Sequence, residues 1–244
     1  MKIVQKLAAR AADNFGQPAV TLAFLGDSVT QGCFEIYQPD EKSIETVYDQ
    51  ANAYHAQLAQ MLAALYPSVP VNIINAGVSG GSAPHGLERL ERDVLRHSPD
   101  LAVVCFGLND CGGGAEGLSR YVGALEGIFK ALQEQGCEVI FMTPNMMCTH
   151  VSCHLKGELE RSIAQSISDR QNDGTLDLYL QEAKKLCARL GVAVCDCYAK
   201  WQRLHRSGVD VTELLANHIN HPTRQMNRLF AVSLLETIFE EEAK

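Results

Sequence analysis

The stretch FLGDSVTQG, residues 24–32, ends a short apolar run and then sets a serine two positions after a glycine, with another glycine four residues on. Glycine and small polar residues are what a tight turn between a buried strand and a helix uses, and a serine held on such a turn can also serve as a nucleophile. The rest of the chain decides between the two readings. The run before the turn, AVTLAFLG (19–26), has four counterparts in VNIINAG (71–77), DLAVVCFG (100–107), CEVIFMTP (137–144) and VAVCD (192–196). Each is brief, rich in β-branched residues and closed by Gly, Pro or Asp, which predicts a buried parallel strand.

Amphipathic segments separate these runs. In EGLSRYVGALEGIFKALQEQG (116–136), Leu118, Tyr121, Val122, Leu125, Ile128, Phe129 and Leu132 recur at three and four, and Gly136 is placed to end the helix. Leu87, Leu90 and Val94 repeat the pattern after Ser82 and Pro84, which suit a first helical turn. Stretches from about 43 to 65 and from about 173 to 190 predict two more helices. A last one begins at Pro222 and runs through Met226, Leu229, Phe230, Leu234 and Ile238. Strands alternating with helices predict an α/β fold of three α/β/α layers, a doubly wound five-stranded parallel sheet of flavodoxin-like topology. At 244 residues and 46% hydrophobic, the whole chain is expected to form one domain.

Bulk properties narrow the function. The formal charge of −8 and the lack of any lysine or arginine run argue against a nucleic-acid partner. The first sixteen residues carry Lys2, Lys6 and Arg10 with no apolar region behind them, unlike a signal peptide, and no run approaches a membrane span. A cytoplasmic location without membrane contact is the expectation, and homo-oligomerisation is left open. Nine scattered cysteines suit reduced thiols. In CTHVSCH (148–154), Cys148, His150, Cys153 and His154 lie close together, but their spacing fits no usual zinc pattern. Free thiols and exposed histidines are expected there, and neither a metal nor another cofactor is called for.

In an open α/β sheet, ligands sit beyond the carboxyl ends of the strands. The first three ends read GDSVTQG, NAGVSGGSA and GLND, all small, polar and glycine-rich, so they are expected to meet at one cleft. Gly-Asp-Ser near the N-terminus, Ser-Gly after the second strand, Gly-x-Asn-Asp after the third and His-Pro near the C-terminus together resemble the SGNH, or GDSL-type, hydrolases. The four blocks stand in order across residues 26–222. The resemblance implies a serine esterase in which Ser28 is the nucleophile and His221 the general base. It also makes Ser28, Gly80 and Asn109 the oxyanion-hole donors; Asp27 and Asp110 are expected to brace their loops rather than react. The chemistry of these residue types agrees. A serine hydroxyl needs a base to take its proton, and an oxyanion needs donors already aimed at it. Thr30 breaks the G-x-S-x-G elbow of the α/β-hydrolases, which disfavours that fold.

The resemblance departs at one place. Many family members carry an aspartate three residues before the base, where LLANHINHPTR has His218. That leaves a Ser-His dyad with His221 oriented by a backbone carbonyl or by Asn217, an acid folding back from Asp210 or Glu213, or reduced activity. The dyad is favoured, with Asn217 and His218 as candidates for orienting the base. Residues 144–173 are long for a connection and read as a lid or pocket wall, and the insertion at 33–43 offers Phe34 and Tyr37 for stacking on a sugar. Short acyl esters, acetyl groups on carbohydrate foremost, are the expected small-molecule substrates. The competing readings are a lysophospholipase- or thioesterase-type acyl hydrolase, a binding protein that keeps an esterase cleft without turnover, and a nucleotide-binding protein. The last lacks any P-loop or dinucleotide fingerprint.

Overall fold

The computed structural model describes residues 1–40 and 42–240, so Glu41 and residues 241–244 lie outside the account. Its strands are β1 (Val20–Gly26), β2 (Cys33–Asp40), β3 (Ser43–Tyr48), β4 (Val71–Gly77), β5 (Leu101–Cys105), β6 (Glu138–Met142) and β7 (Ala193–Cys195). The helices are α1 (Lys2–Ala12), α2 (Ser28–Gln31), α3 (Tyr54–Leu65), α4 (Ala83–Glu88), α5 (Leu90–Asp93), α6 (Gly114–Glu134), α7 (Glu158–Asn172), α8 (Thr175–Leu190), α9 (Cys197–Arg206) and α10 (Arg224–Phe239).

The five apolar runs form one parallel sheet in the order β4-β1-β5-β6-β7. The chain leaves β1 for β4 in one direction and returns past it to β5 in the other. Right-handed crossovers therefore put α3 on one face and α4, α6 and α8 on the opposite face. Packing agrees, since α3 meets α10 while α6 meets α4 and α8. Between the layers lies a core of aliphatic side chains and buried rings that include Phe24, Phe106, Phe129, Phe141 and Trp201. All nine cysteines are free thiols, and eight of them are buried. Among the described residues, no helix is long and apolar enough to cross a membrane.

The structure corrects the sequence reading in several places, among them residues 158–172, which form α7 within the stretch read as a long connection. The stretch expected as one helix from about 43 to 65 begins instead as β3, which pairs with β2 in an antiparallel hairpin, and helix starts only at Tyr54. Ile44, Thr46 and Val47 explain this, because β-branched residues lose side-chain freedom in a helix and pack well on a pleated surface. The helix expected through Leu87, Leu90 and Val94 breaks at Arg89 into α4 and α5. There the guanidinium turns inward and donates to the carbonyls of Ala76 (2.6 Å), the penultimate residue of β4, and Gly26 (2.8 Å), the last of β1. The last helix starts at Arg224 rather than Pro222, capped by Thr223, whose hydroxyl accepts from the Met226 N–H at 3.2 Å. Residues 197–206 form α9, which the sequence reading does not anticipate.

Gly77 fixes how closely α2 approaches the sheet. It pairs with Gly26 at the ends of β4 and β1, and a Cβ there would collide with the Gln31 nitrogen and lie 2.6 Å from the Thr30 carbonyl carbon. Backbone atoms cannot turn aside as a side chain can. Gly77→Ala is expected to destabilise the fold by about 1–3 kcal/mol, typical of overpacking. Urea unfolding measures this, and an unchanged midpoint would show that α2 has room to move.

Candidate active site

Ser28 opens α2 directly after β1, and its neighbour Asp27 caps that helix by accepting from the Val29 N–H at 3.0 Å. The helix lasts one turn because Gly32 enters the left-handed region at φ 93°. Thr30 ties the turn to α3 through a 2.9 Å hydrogen bond between its hydroxyl and that of Tyr54. This small helix therefore has little freedom, and Ser28 is only 4% exposed.

The histidine arrives 193 residues later in the chain. His221 Nε2 lies 3.0 Å from Ser28 Oγ, and His221 Nδ1 lies 2.9 Å from the backbone carbonyl oxygen of Phe34. A carbonyl can only accept, so Nδ1 carries the proton and Nε2 presents its lone pair to the serine hydroxyl, the tautomer a general base requires. Burial holds the imidazole neutral, lowering its pKa from 6.5 to about 4, and the Phe34 carbonyl opposes this in part. The buried imidazole is thus neutral at pH 7, with no carboxylate hydrogen-bonded to it among the described residues.

The acceptor for Nδ1 is a main-chain oxygen on β2, which decides among the orientations left open by the sequence. Asn217 does not touch the ring. Its Oδ1 accepts from the N–H groups of Ile219 (3.0 Å), Asn220 (2.9 Å) and His221 (2.9 Å), and so shapes the turn on which the base rides. His218 also turns away from the base, stacking on His154 with ring centroids 4.8 Å apart and facing Glu213. Asp210 faces His150 at 3.7 Å. Neither Asp210 nor Glu213 folds back onto the base.

The other two strand ends meet beside Ser28. The Val78 N–H donates to the Gly26 carbonyl at 3.1 Å, and Asn109 Nδ2 donates to the Gly81 carbonyl at 2.8 Å. Asp110 braces the same junction by accepting from the N–H groups of Ala83 (2.8 Å) and Gly107 (3.1 Å). Gly80 has φ 72°, a conformation glycine adopts without steric cost. Among the described residues, the N–H groups of Ser28 and Gly80 have no acceptor, and one Asn109 hydrogen faces no bonded partner. Three donors on the segments that follow β1, β4 and β5 thus keep a hydrogen without an acceptor among the described residues. Burial raises Asp27 to about 7 and Asp110 to about 6, so these two buried carboxyl groups lose negative charge as pH drops below neutral.

Sequence reasoning missed the hairpin that presents the Phe34 carbonyl. Phe34 is fully buried, with Arg224 Cζ 4.4 Å from its ring centroid, so it does not stack on a sugar as expected; Tyr37 and Tyr48 are the exposed aromatics of the hairpin. Arg224 also donates to both carboxylate oxygens of Glu35 (2.5 and 3.1 Å) and to Asp49 (2.7 Å). It thereby fastens both ends of the hairpin to the start of α10. Period-two alternation in SIETVY was the available sequence signal, whereas nothing local announces that Arg224 would meet two acids about 180 residues earlier.

Residues 143 and 145–148 are buried and form a buttress for the base loop. The Cys148 N–H donates to the Ile219 carbonyl (2.8 Å), and Asn145 donates to the Asn220 carbonyl (2.9 Å). The Cys148 thiol faces the Ala164 carbonyl, apart from the exposed Cys153, so the four residues of CTHVSCH do not converge.

His221 acting as general base, neutral down to about pH 4, would set the pH dependence. In kcat/KM, which reports the free enzyme, the acid limb is expected near pH 4 rather than near 6.5. Below that limb Nε2 is protonated and cannot accept from Ser28. The unfolded chain takes up this proton near 6.5, so His221 also withdraws stability as pH falls from 6.5 through 4. A pH-rate profile with its acid limb at 6 to 7 would contradict the buried, neutral base.

Residues 24–229 match the GDSL-like lipase/acylhydrolase family. An acetylxylan esterase of Geobacillus stearothermophilus is 32% identical over 89 residues, covering 36% of this chain and 39% of that protein. An arylesterase of Vibrio mimicus is 30% identical over 129 residues, covering 52% of this chain and 55% of the arylesterase. The chain thus spans well under two thirds of either relative. Among solved structures, Axe2, an acetylxylan esterase from Geobacillus stearothermophilus, superposes with a TM-score of 0.67 at 21% identity, covering 91% of this chain and 95% of Axe2. The acetyl xylan esterase AlAXEase gives 0.65 at 18%, covering 90% and 100%. At such identities the structural likeness is one of fold. The match over residues 24–229, carried on a sheet whose strand ends bring the four sequence blocks together, places this chain in the GDSL-like lipase/acylhydrolase family.

Proposed function

We propose that the chain is a serine esterase that removes short acyl groups, acetyl groups on carbohydrate foremost. The observation that carries this reading is the line from Ser28 Oγ through the His221 ring to the Phe34 carbonyl, with both contacts at hydrogen-bond length. Ser28 Oγ attacks the ester carbonyl carbon while its proton passes to His221 Nε2. The N–H groups of Ser28 and Gly80 and the Asn109 amide hold the oxyanion. As the tetrahedral intermediate collapses, Nε2–H gives its proton to the departing alkoxide, which leaves as a sugar hydroxyl, and the acyl group stays on Ser28. Water then attacks the acyl carbon, losing its proton to Nε2, and Ser28 recovers a proton as the carboxylic acid leaves.

The preference for acetyl groups draws on the names of the relatives, and the exposed Tyr37 of the hairpin is suited to lie against a sugar ring. The rival reading of a cleft that binds without turnover rested on the missing acid, and the Phe34 carbonyl offers the ring the acceptor that acid would have supplied. Hydrolysis rates on p-nitrophenyl esters of increasing chain length, beside acetylated xylooligosaccharide, test the proposal. It expects acetate to be favoured over long acyl chains and acetate to be released from the sugar. A preference for long chains would move the assignment to a lysophospholipase- or thioesterase-type hydrolase, and inactivity on all of them would revive the binding protein.

A further inference from the structure

We infer that His154, Glu213 and His218 form a binding site for a divalent transition-metal ion of the Zn²⁺ class, on the outer side of the loop that carries the base. The group emerges from folding and not from sequence spacing, since it takes only one member of CTHVSCH and adds two residues from about 60 positions later. The potential ligand atoms all lie within 4.8 Å of one another. His154 Nε2 is 3.7 Å from Glu213 Oε2, and His218 Nδ1 is 3.8 Å from Glu213 Oε1. Both separations are too long for hydrogen bonds, so three polar groups converge without satisfying one another.

His218 supplies two further observations. Its Nδ1 is sealed from solvent and has no hydrogen-bond partner among the described residues. Its backbone sits at φ 53°, one of two non-glycine positions with positive φ among the described residues. A histidine held in an uncommon conformation, with an orphaned nitrogen turned toward a carboxylate and a second imidazole, is the arrangement a cation would complete.

The donor set indicates which cation. Two imidazoles and one carboxylate suit zinc, with water as a fourth ligand, whereas Mg²⁺ and Ca²⁺ favour all-oxygen shells. Tetrahedral coordination at about 2.0–2.1 Å asks for ligand atoms roughly 3.3 Å apart. The present spread closes by rotation of His154 and Glu213, whose side chains are 58% and 46% exposed. An ion there would link the segment around 150–157 to the loop at 211–221, and so act as a cross-link between two surface segments of the fold.

Zn²⁺ alone, titrated calorimetrically into chelator-treated protein at pH 7.5, tests the site without reference to ester hydrolysis. One ion per chain is expected, with the melting temperature rising on addition of Zn²⁺ and unmoved by Mg²⁺. His154→Ala and Glu213→Gln should each weaken binding by roughly tenfold or more, while their metal-free melting temperatures stay near that of the parent, because both side chains are exposed. Cys153→Ser and His150→Ala should leave the affinity within about twofold. The inference is overturned if no stoichiometric binding occurs, if neither His154→Ala nor Glu213→Gln weakens it, or if Cys153→Ser abolishes it.

Discussion

Ser28→Ala and His221→Ala are each expected to lower kcat/KM on p-nitrophenyl acetate by roughly 10⁴-fold or more, and the double variant to lose little beyond either single one. The two groups act as one unit, because a hydroxyl 3.0 Å from Nε2 is a nucleophile only while that nitrogen can take its proton. An imidazole without a serine has nothing to activate. Whatever acceleration survives reports the donors at Ser28 N–H, Gly80 and Asn109. Circular dichroism should find both variants folded, since the serine change removes one side-chain oxygen from a tightly braced turn. A His221→Ala protein that keeps a tenth or more of the parent rate would remove His221 as base, and losses that multiply in the double variant would separate the two residues' roles.

The second large effect is expected away from the reacting atoms. Arg224→Ala should lower kcat by roughly 10- to 100-fold with a smaller change in KM, the cost of letting a base drift by a fraction of an ångström to an ångström. The guanidinium covers the Phe34 ring and grips Glu35 and Asp49, and the Phe34 carbonyl aims the base. A looser hairpin also lets water reach His221, so its pKa returns toward the ordinary value and the acid limb of the rate profile moves up from about 4. Arg224→Lys should recover little, because an ammonium cannot reach both Glu35 oxygens and Asp49 or lie flat on the ring. These outcomes would make Arg224 a positioning residue, and the pH profile separates that role from simple loss of stability. If kcat and the acid limb both stay within about twofold of the parent, the hairpin holds the carbonyl without it.

The parallel sheet and the meeting of its strand ends were legible because buried strands are read from local composition, and the crossover rule then fixes where a cleft must lie. VNIINAG coincides residue for residue with β4, while DLAVVCFG shortens to Leu101–Cys105 because Phe106 and Gly107 already belong to the turn that carries Asn109. The hairpin was less visible. The 43–65 stretch contains a true helix after residue 53, and its periodicity was extended backward over the alternating residues of β3. A backbone carbonyl was among the orienting groups the sequence left open, but which one sets the proton on His221 was not legible. The acceptor is a carbonyl brought in by tertiary packing, and such packing leaves no mark on the local sequence around His221. The same holds for His154, Glu213 and His218, which meet only because two distant surface segments fold side by side.

A base aimed by a main-chain oxygen has an unusual standing in heredity. Every amino acid placed at position 34 brings the same carbonyl, so no single codon change deletes the acceptor, and a comparison of residue identities scores the position as blank. What the position does not tolerate is a change in count. Adding or removing one residue between Gly32 and Ile36 shifts which carbonyl faces the ring and turns successive groups to opposite sides of the strand. For this part of the site, the length of a short segment is inherited information in the way that residue identity is at Ser28.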